Sequence, residues 1–355
     1  MSEPVESAGA TSGRGLHASV GICAAVIVVT ALYFSSTVFA PLAFALLIIA
    51  MLWPVQKRLQ ARLPKLVALA VSTLATIVIL AAFGSLIVWG FGRVGRQVIG
   101  DAARYQLLYA QLAGWLEGHG IAVAGLWAEH FNVGWLIRLF QQATIRLNGM
   151  LSFSLVMLIY VMLGLIEVDD AAGKLGAVEM GEFGRVVLAG AAETAAKFRR
   201  YMLVRTLMSV MTGLLVWGFA VAVGLPLAAE WGVIAFALNY VPFIGPFIAT
   251  VFPTAFAIAQ FESWQMAVIV FACLNLIQFL VGSYLEPRIA GNALAISPFL
   301  VLFAVFFWTF MWGIAGAFIG VPIAIAALTL CEQHPSSRWI ADLLGAPASR
   351  RNPPA

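Results

Sequence analysis

The sequence predicts an all-α, polytopic membrane protein with about eight hydrophobic segments. Of the 355 residues, 62% are hydrophobic and 10% are charged, against about half and about a quarter in a soluble globular chain. The mean hydropathy is +0.97. Apolar runs approaching or exceeding the roughly 20 residues a helix needs to cross a bilayer core recur from end to end. This composition excludes a water-soluble enzyme, a disordered protein and a nucleic-acid binder, and the net charge of +4 is too small for an RNA or DNA partner. Cys23, Cys273 and Cys331 are too scattered for a disulfide framework or a metal site.

In order, the apolar runs are 19–34, 38–55, 66–91, 150–166, 201–224, 231–261, 264–285 and 296–330. Val38-Phe39-Ala40 resembles a signal-peptide cleavage site, but Pro41 follows it and the chain re-enters an apolar run, so the first two runs read as an uncleaved helical hairpin. The expected organisation is a disordered tail at 1–16, three transmembrane helices within 17–92 and a helical extramembrane insertion at 93–148. A transmembrane transport core follows at 149–330, with a cytoplasmic tail at 331–355. In the insertion, Trp135, Leu136, Leu139, Phe140 and Ala143 recur at helical spacing opposite Arg138, Gln142 and Arg146. That amphipathic pattern fits a cap on the membrane surface or against a neighbouring subunit better than a substrate lid. Lys57, Arg58, Arg62 and Lys65 crowd one short loop, and basic residues also precede 201 and fill the tail. By the positive-inside rule both termini are expected in the cytoplasm.

Two runs have the wrong length. Residues 231–261 would form a helix of about 46 Å, too long for one crossing and too short for two. Asn239-Tyr240-Val241-Pro242-Phe243-Ile244-Gly245-Pro246 interrupts them, and two prolines four residues apart break a helix. Residues 296–330 repeat the pattern, interrupted by Gly313, Gly316, Gly320 and Pro322. Each follows one ordinary span, so a span plus a re-entrant hairpin, used twice, would give two units of opposite topology. Eight kinked but complete crossings are the alternative. The two differ over Glu286-Pro287-Arg288, which is cytoplasmic with hairpins and external without them.

Amides and ionisable groups in hydrocarbon normally face protein or water. Asn275, Gln278, Gly282 and Glu286 are spaced by three, four and four residues, which places them on one helical face. Such a stripe would line a solute path, with Asn275 and Gln278 bonding a polar solute, or would hold helices together. Glu286 is a candidate proton or cation site with Arg288 as its charge partner, unless the pair only closes an interfacial turn. Asn239 and Tyr240 offer hydrogen bonds beside the first break, although Asn239 would also serve simply to stop a helix. The histidines lie outside the deep runs and there is no Walker-type glycine loop, so no catalytic group, metal site, nucleotide or other cofactor is expected.

Three motifs together resemble those of the autoinducer-2 exporter family. They are Val241-Pro242-Phe243-Ile244-Gly245-Pro246, then Glu286-Pro287-Arg288-Ile289-Ala290-Gly291, then Ser297-Pro298 with Trp312-Gly313-Ile314-Ala315-Gly316 and Val321-Pro322. The resemblance implies an inner-membrane secondary transporter, homo-oligomeric, that exports a small polar solute such as autoinducer-2. It also admits sodium(lithium)/proton antiport, with H+ or Na+ as partner. A non-transporting scaffold fits the interrupted helices least, since scaffolding has no use for broken backbone at membrane depth. Leu294-Ala295-Ile296-Ser297 departs from the Gly-Leu-His type of lead-in to the third motif, so the resemblance does not fix the solute.

Overall fold

The structure, a computed structural model, describes residues 8–119, 133–177, 181–290, 296–333 and 337–345. Every regular element among them is helical. Helix α1 (Ala8–Phe34) and α2 (Ser36–Gln60) make the early hairpin, followed by α3 (Lys65–Gly100) and α4 (Ala102–Gly118). Then come α5 (Val133–Leu175), α6 (Gly181–Ala222), α7 (Ala228–Leu238), α8 (Ile244–Phe261) and α9 (Trp264–Phe279). A π-helical stretch (Leu280–Leu285) leads into α10 (Glu286–Ala290), α11 (Pro298–Gln333) and α12 (Arg338–Leu344). Seven described helices are long and apolar enough to cross a membrane, counting α9, the π stretch and α10 together and α11 as unbroken. Helix α1 reaches back to Ala8, into the stretch expected to be disordered, because no proline interrupts residues 8–34. Of the insertion, the side chains from Trp135 to Ala143 lie outside the described residues.

Both irregular runs fold back on themselves. Trp231 on α7 and Phe256 on α8 have ring centroids 5.3 Å apart, whereas a continuous helix would separate them by about 37 Å. Phe243 makes the corner at φ 63° and ψ −57°, with the Ile244 amide donating to the Pro242 carbonyl at 2.7 Å. This is a γ-turn, rare for so bulky a residue. In α11 the bend is confined to Trp312 and Gly313. Gly313 sits at φ 62°, ψ −140°, a region essentially open only to glycine. Across that bend a Cβ on Gly320 would lie 2.7 Å from the Ala304 carbonyl oxygen. Gly316 and Gly320 therefore belong to the packing of the second arm on the first, and Pro322 lies within the second arm. Gly245 and Gly316 play the same part: each has its Cα against a backbone carbonyl of the preceding arm, Leu238 and Trp308, leaving no room for a side chain.

Ion pairs fix which end of each hairpin lies where. Lys57, in the basic loop, pairs with Asp169 at the end of α5 at 3.7 Å. Lys197, early in α6, pairs with Glu332 at the end of α11 at 2.7 Å. The Ile296–Gly345 bridge closes the base of the second hairpin. That base therefore lies at the face carrying the basic loop. Arg93 pairs with Glu230, Gln260 donates to Asp101, and Arg104 pairs with Glu262. These bonds tie the base of the α7–α8 hairpin to the end of α3, at the opposite face. The two units thus have opposite topology, and Glu286-Pro287-Arg288 falls on the basic-loop side, as the hairpin reading expected.

The cores are interhelical. Val216, Ala220, Trp231, Phe256, Val270 and Leu274 join α6, α7, α8 and α9, while Ala45, Ile49, Met157, Val161 and Leu165 join α2 to α5. Small residues bring α6 and α7 into backbone contact: a Cβ on Gly213 would lie 2.9 Å from the Gly232 carbonyl oxygen. Arg199 donates at 2.8 Å to the Ala50 carbonyl, the acceptor that Pro54, four residues on, cannot use.

In a chain whose three cysteines are replaced by serine, Arg62→Cys and Arg288→Cys should react with an impermeant maleimide from one side of the membrane. Glu262→Cys should react from the other. Labelling of Arg288→Cys from the side opposite Arg62→Cys, or of Glu262→Cys from the same side as Arg62→Cys, would contradict the hairpin topology.

Candidate functional site

The polar groups inside the transport core converge on α6. Tyr201, Arg205, Ser209 and Thr212 follow at spacings of four, four and three and form one stripe along the helix. All four are buried, at 6%, 7%, 0% and 0% exposure. An arginine at membrane depth costs roughly 2.5–3.5 kcal/mol unless it faces a partner. Here Arg205 Nη1 lies 3.1 Å from both carboxylate oxygens of Glu286, and its guanidinium carbon lies 5.9 Å from the centre of the Tyr201 ring.

The corner of the first hairpin is held by the same helix. Asn239 Nδ2 donates to Ser209 Oγ at 3.2 Å and Tyr240 Oη donates to Thr206 Oγ1 at 3.0 Å. Asn239 is also the C-terminal cap of α7, so its two expected roles, helix stop and polar contact, coincide. The Tyr240 ring packs against Phe83 and Phe236 and stacks on Phe318 of α11 at 5.4 Å. Val241 and Ile244 pack with Val305, Val321 and Ile325. The first hairpin's corner therefore rests on both α6 and the arms of the second hairpin.

Three buried polar atoms of the stripe have no hydrogen-bond partner: Tyr201 Oη, Arg205 Nε and Thr212 Oγ1. Thr212, like Thr73 and Thr194, lacks the bond that Thr76, Thr250, Thr254, Thr309 and Thr329 each donate to the carbonyl four residues earlier. A buried, unsatisfied hydroxyl costs about 1–3 kcal/mol, so such a row marks a place where something else completes the bonding.

The expected Asn275–Gln278–Gly282–Glu286 face is divided in the structure. Pro287 has no N–H to donate to Ser283 and its ring crowds that carbonyl, and the preceding turn is π-helical. A π turn rotates less per residue than an α turn, which carries Glu286 off the line of the other three and onto Arg205. Asn275 is exposed and donates back to the Phe271 carbonyl at 2.8 Å, Gln278 is half-buried and Gly282 is exposed. The buried face of α9 is instead Ala267, Val270 and Leu274. Arg288 is not the partner of Glu286: its guanidinium lies 4.0 Å over the Tyr284 ring. Pro246 lies in the first turn of α8 and Pro298 opens α11 behind Ser297, whose hydroxyl accepts from the Leu300 amide at 3.2 Å. Gly291 lies outside the described residues.

Tyr201, Arg205, Ser209 and Thr212 went unnoticed in the sequence. The available signal was a lone arginine five residues into the apolar run 201–224. At the opposite face Tyr105, beside the hairpin base, is pushed up to about 12, first by burial and then by Asp101. No group of three or more metal-ligating side chains occurs among the described residues.

A polytopic helical protein with two broken hairpins of opposite topology around a polar helix is built as a membrane transporter. Residues 22–335 match the family described as AI-2E family transporter, and the chain belongs to that family. It is 29% identical to the AI-2 transport protein TqsA of Escherichia coli over 93% of this chain and 96% of that one. It is 28% identical to the putative transport protein YhhT of Escherichia coli over 56% of each chain. A putative transport protein of Haemophilus influenzae is 23% identical over 93% of this chain and 97% of its own.

Removing one member of a buried ion pair costs about 3–5 kcal/mol, because the other charge is left uncompensated. Glu286→Gln should lower the thermal midpoint of the detergent-solubilised protein clearly. The double variant Arg205→Met/Glu286→Leu should recover most of that loss. Unchanged midpoints in both variants would show that the pair does not form.

Proposed function

We propose that the protein is an inner-membrane secondary transporter that exports a small, polar, uncharged solute of the autoinducer-2 kind. The observation that carries this reading is the corner of the first hairpin. There Asn239 and Tyr240 stand beside interrupted backbone at membrane depth and bond the polar stripe of α6. Neutral hydroxylated solutes are held by oriented donors and acceptors, and the groups gathered here are an amide, hydroxyls and a neutralised ion pair. The name of the relative TqsA supports autoinducer-2 as the first solute to test.

Cation/proton antiport through Glu286 gains no support from the site, since Arg205 occupies both oxygens of that carboxylate. The polar Asn275–Gln278–Gly282 face is turned away from the protomer core, and we assign it to contact with another copy in a homo-oligomer. The same reading places both termini in the cytoplasm, on the side of the basic loop.

The test is autoinducer-2 flux into inside-out vesicles across an imposed proton gradient. Protein-dependent accumulation is expected, reduced at least tenfold in Asn239→Leu. No accumulation by correctly inserted wild-type protein would remove autoinducer-2 as the cargo.

A further inference from the structure

We infer that the α6 stripe Tyr201–Arg205–Ser209–Thr212 is the hydrogen-bonding wall of the solute site, selecting neutral solutes that carry several hydroxyl or carbonyl oxygens. The inference deepens the transport reading and rests on it.

The stripe is continuous, buried and incompletely bonded. Ser209 is engaged by Asn239, while Tyr201 Oη, Arg205 Nε and Thr212 Oγ1 are unpartnered. From Tyr201 to Thr212 the helix rises about 16 Å, so the spare groups are spread along a path and not gathered at one point. They comprise one N–H that can only donate and two hydroxyls that can donate or accept. That set matches a molecule presenting oxygens that accept and hydroxyls that do both.

Charge sets the second half of the selection. Arg205 is already neutralised by Glu286, so an anion gains little unless that pair is first broken. A cation meets a carboxylate already bonded through both oxygens. A neutral solute can use Arg205 Nε with the pair intact. The wall is also set against apolar cargo, because an apolar solute would leave all three polar atoms unsatisfied.

Because Thr212 Oγ1 has no hydrogen-bond partner and the Tyr201 hydroxyl meets only the Arg205 guanidinium, Thr212→Val and Tyr201→Phe remove ligand contacts at little structural cost. The full chain in detergent is titrated calorimetrically with autoinducer-2, ribose, succinate and choline. Binding of autoinducer-2 or ribose, without succinate or choline, is expected in the wild type. Each variant should weaken it about tenfold, the loss of one hydrogen bond, with a thermal midpoint equal to or above wild type. Three results would overturn the inference: wild-type affinity in both variants, preference for the charged probes, or variants that lose thermal stability while binding normally, which would make these hydroxyls seats for structural water. Equilibrium binding needs no gradient. A wild type that binds ribose through the stripe but does not move autoinducer-2 would therefore refute the cargo and keep the wall.

Discussion

Backbone that leaves the helix inside a membrane must find hydrogen-bond partners within the protein, because lipid offers none. The corner at residues 239–243 meets that demand in two ways. Locally, the Val241, Ile244 and Gly245 amides donate to the Leu238, Pro242 and Val241 carbonyls. Beyond the corner, Asn239 and Tyr240 reach hydroxyls on α6. The second corner, at Trp312 and Gly313, is steadied from outside the core: Trp312 Nε1 donates to the Leu32 carbonyl at 3.1 Å, and Tyr33 stacks on Phe310. Once the corners are satisfied, glycines at 245, 316 and 320 let each pair of arms close backbone to backbone.

This constraint makes α6 the spine of the transport core. Its small residues receive α7, its hydroxyls receive the first corner, and Arg205 receives Glu286 from the end of the π-helical stretch. In its N-terminal half, Lys197 receives Glu332 from the second hairpin. Inside the core, Arg205 and Glu286 answer each other's charge. Where the stripe is left incomplete, at Tyr201, Arg205 and Thr212, the molecule has polar capacity that its own fold does not use.

Much of this was legible in the sequence. Run lengths gave the polytopic helical class, and the prolines at 242 and 246 with the glycine at 313 marked both breaks, since proline and glycine are the residues that weaken a continuous helix most. Opposite insertion could be argued because each broken run follows one crossing. The site was less legible. The stripe on α9 assumed α-helical rotation through to Glu286, and the π turn before Pro287 breaks that periodicity, a local change in pitch that spacing cannot reveal. Arg288 was the obvious partner for Glu286 by proximity in sequence, but the true partner lies 81 residues earlier in the chain. The polar stripe on α6 was hidden because tyrosine, serine and threonine pass unnoticed in an apolar run, and a single arginine reads as a flaw in it.

The central claim is that the two hairpins meet inside the membrane, with the first corner resting on the second hairpin. Cysteines at positions 240 and 318, where Tyr240 and Phe318 stack at 5.4 Å, test it in native membranes. The account predicts rapid cross-linking by a short bifunctional reagent in the otherwise cysteine-free chain. Absence of a cross-link, with both cysteines reactive singly, would contradict it.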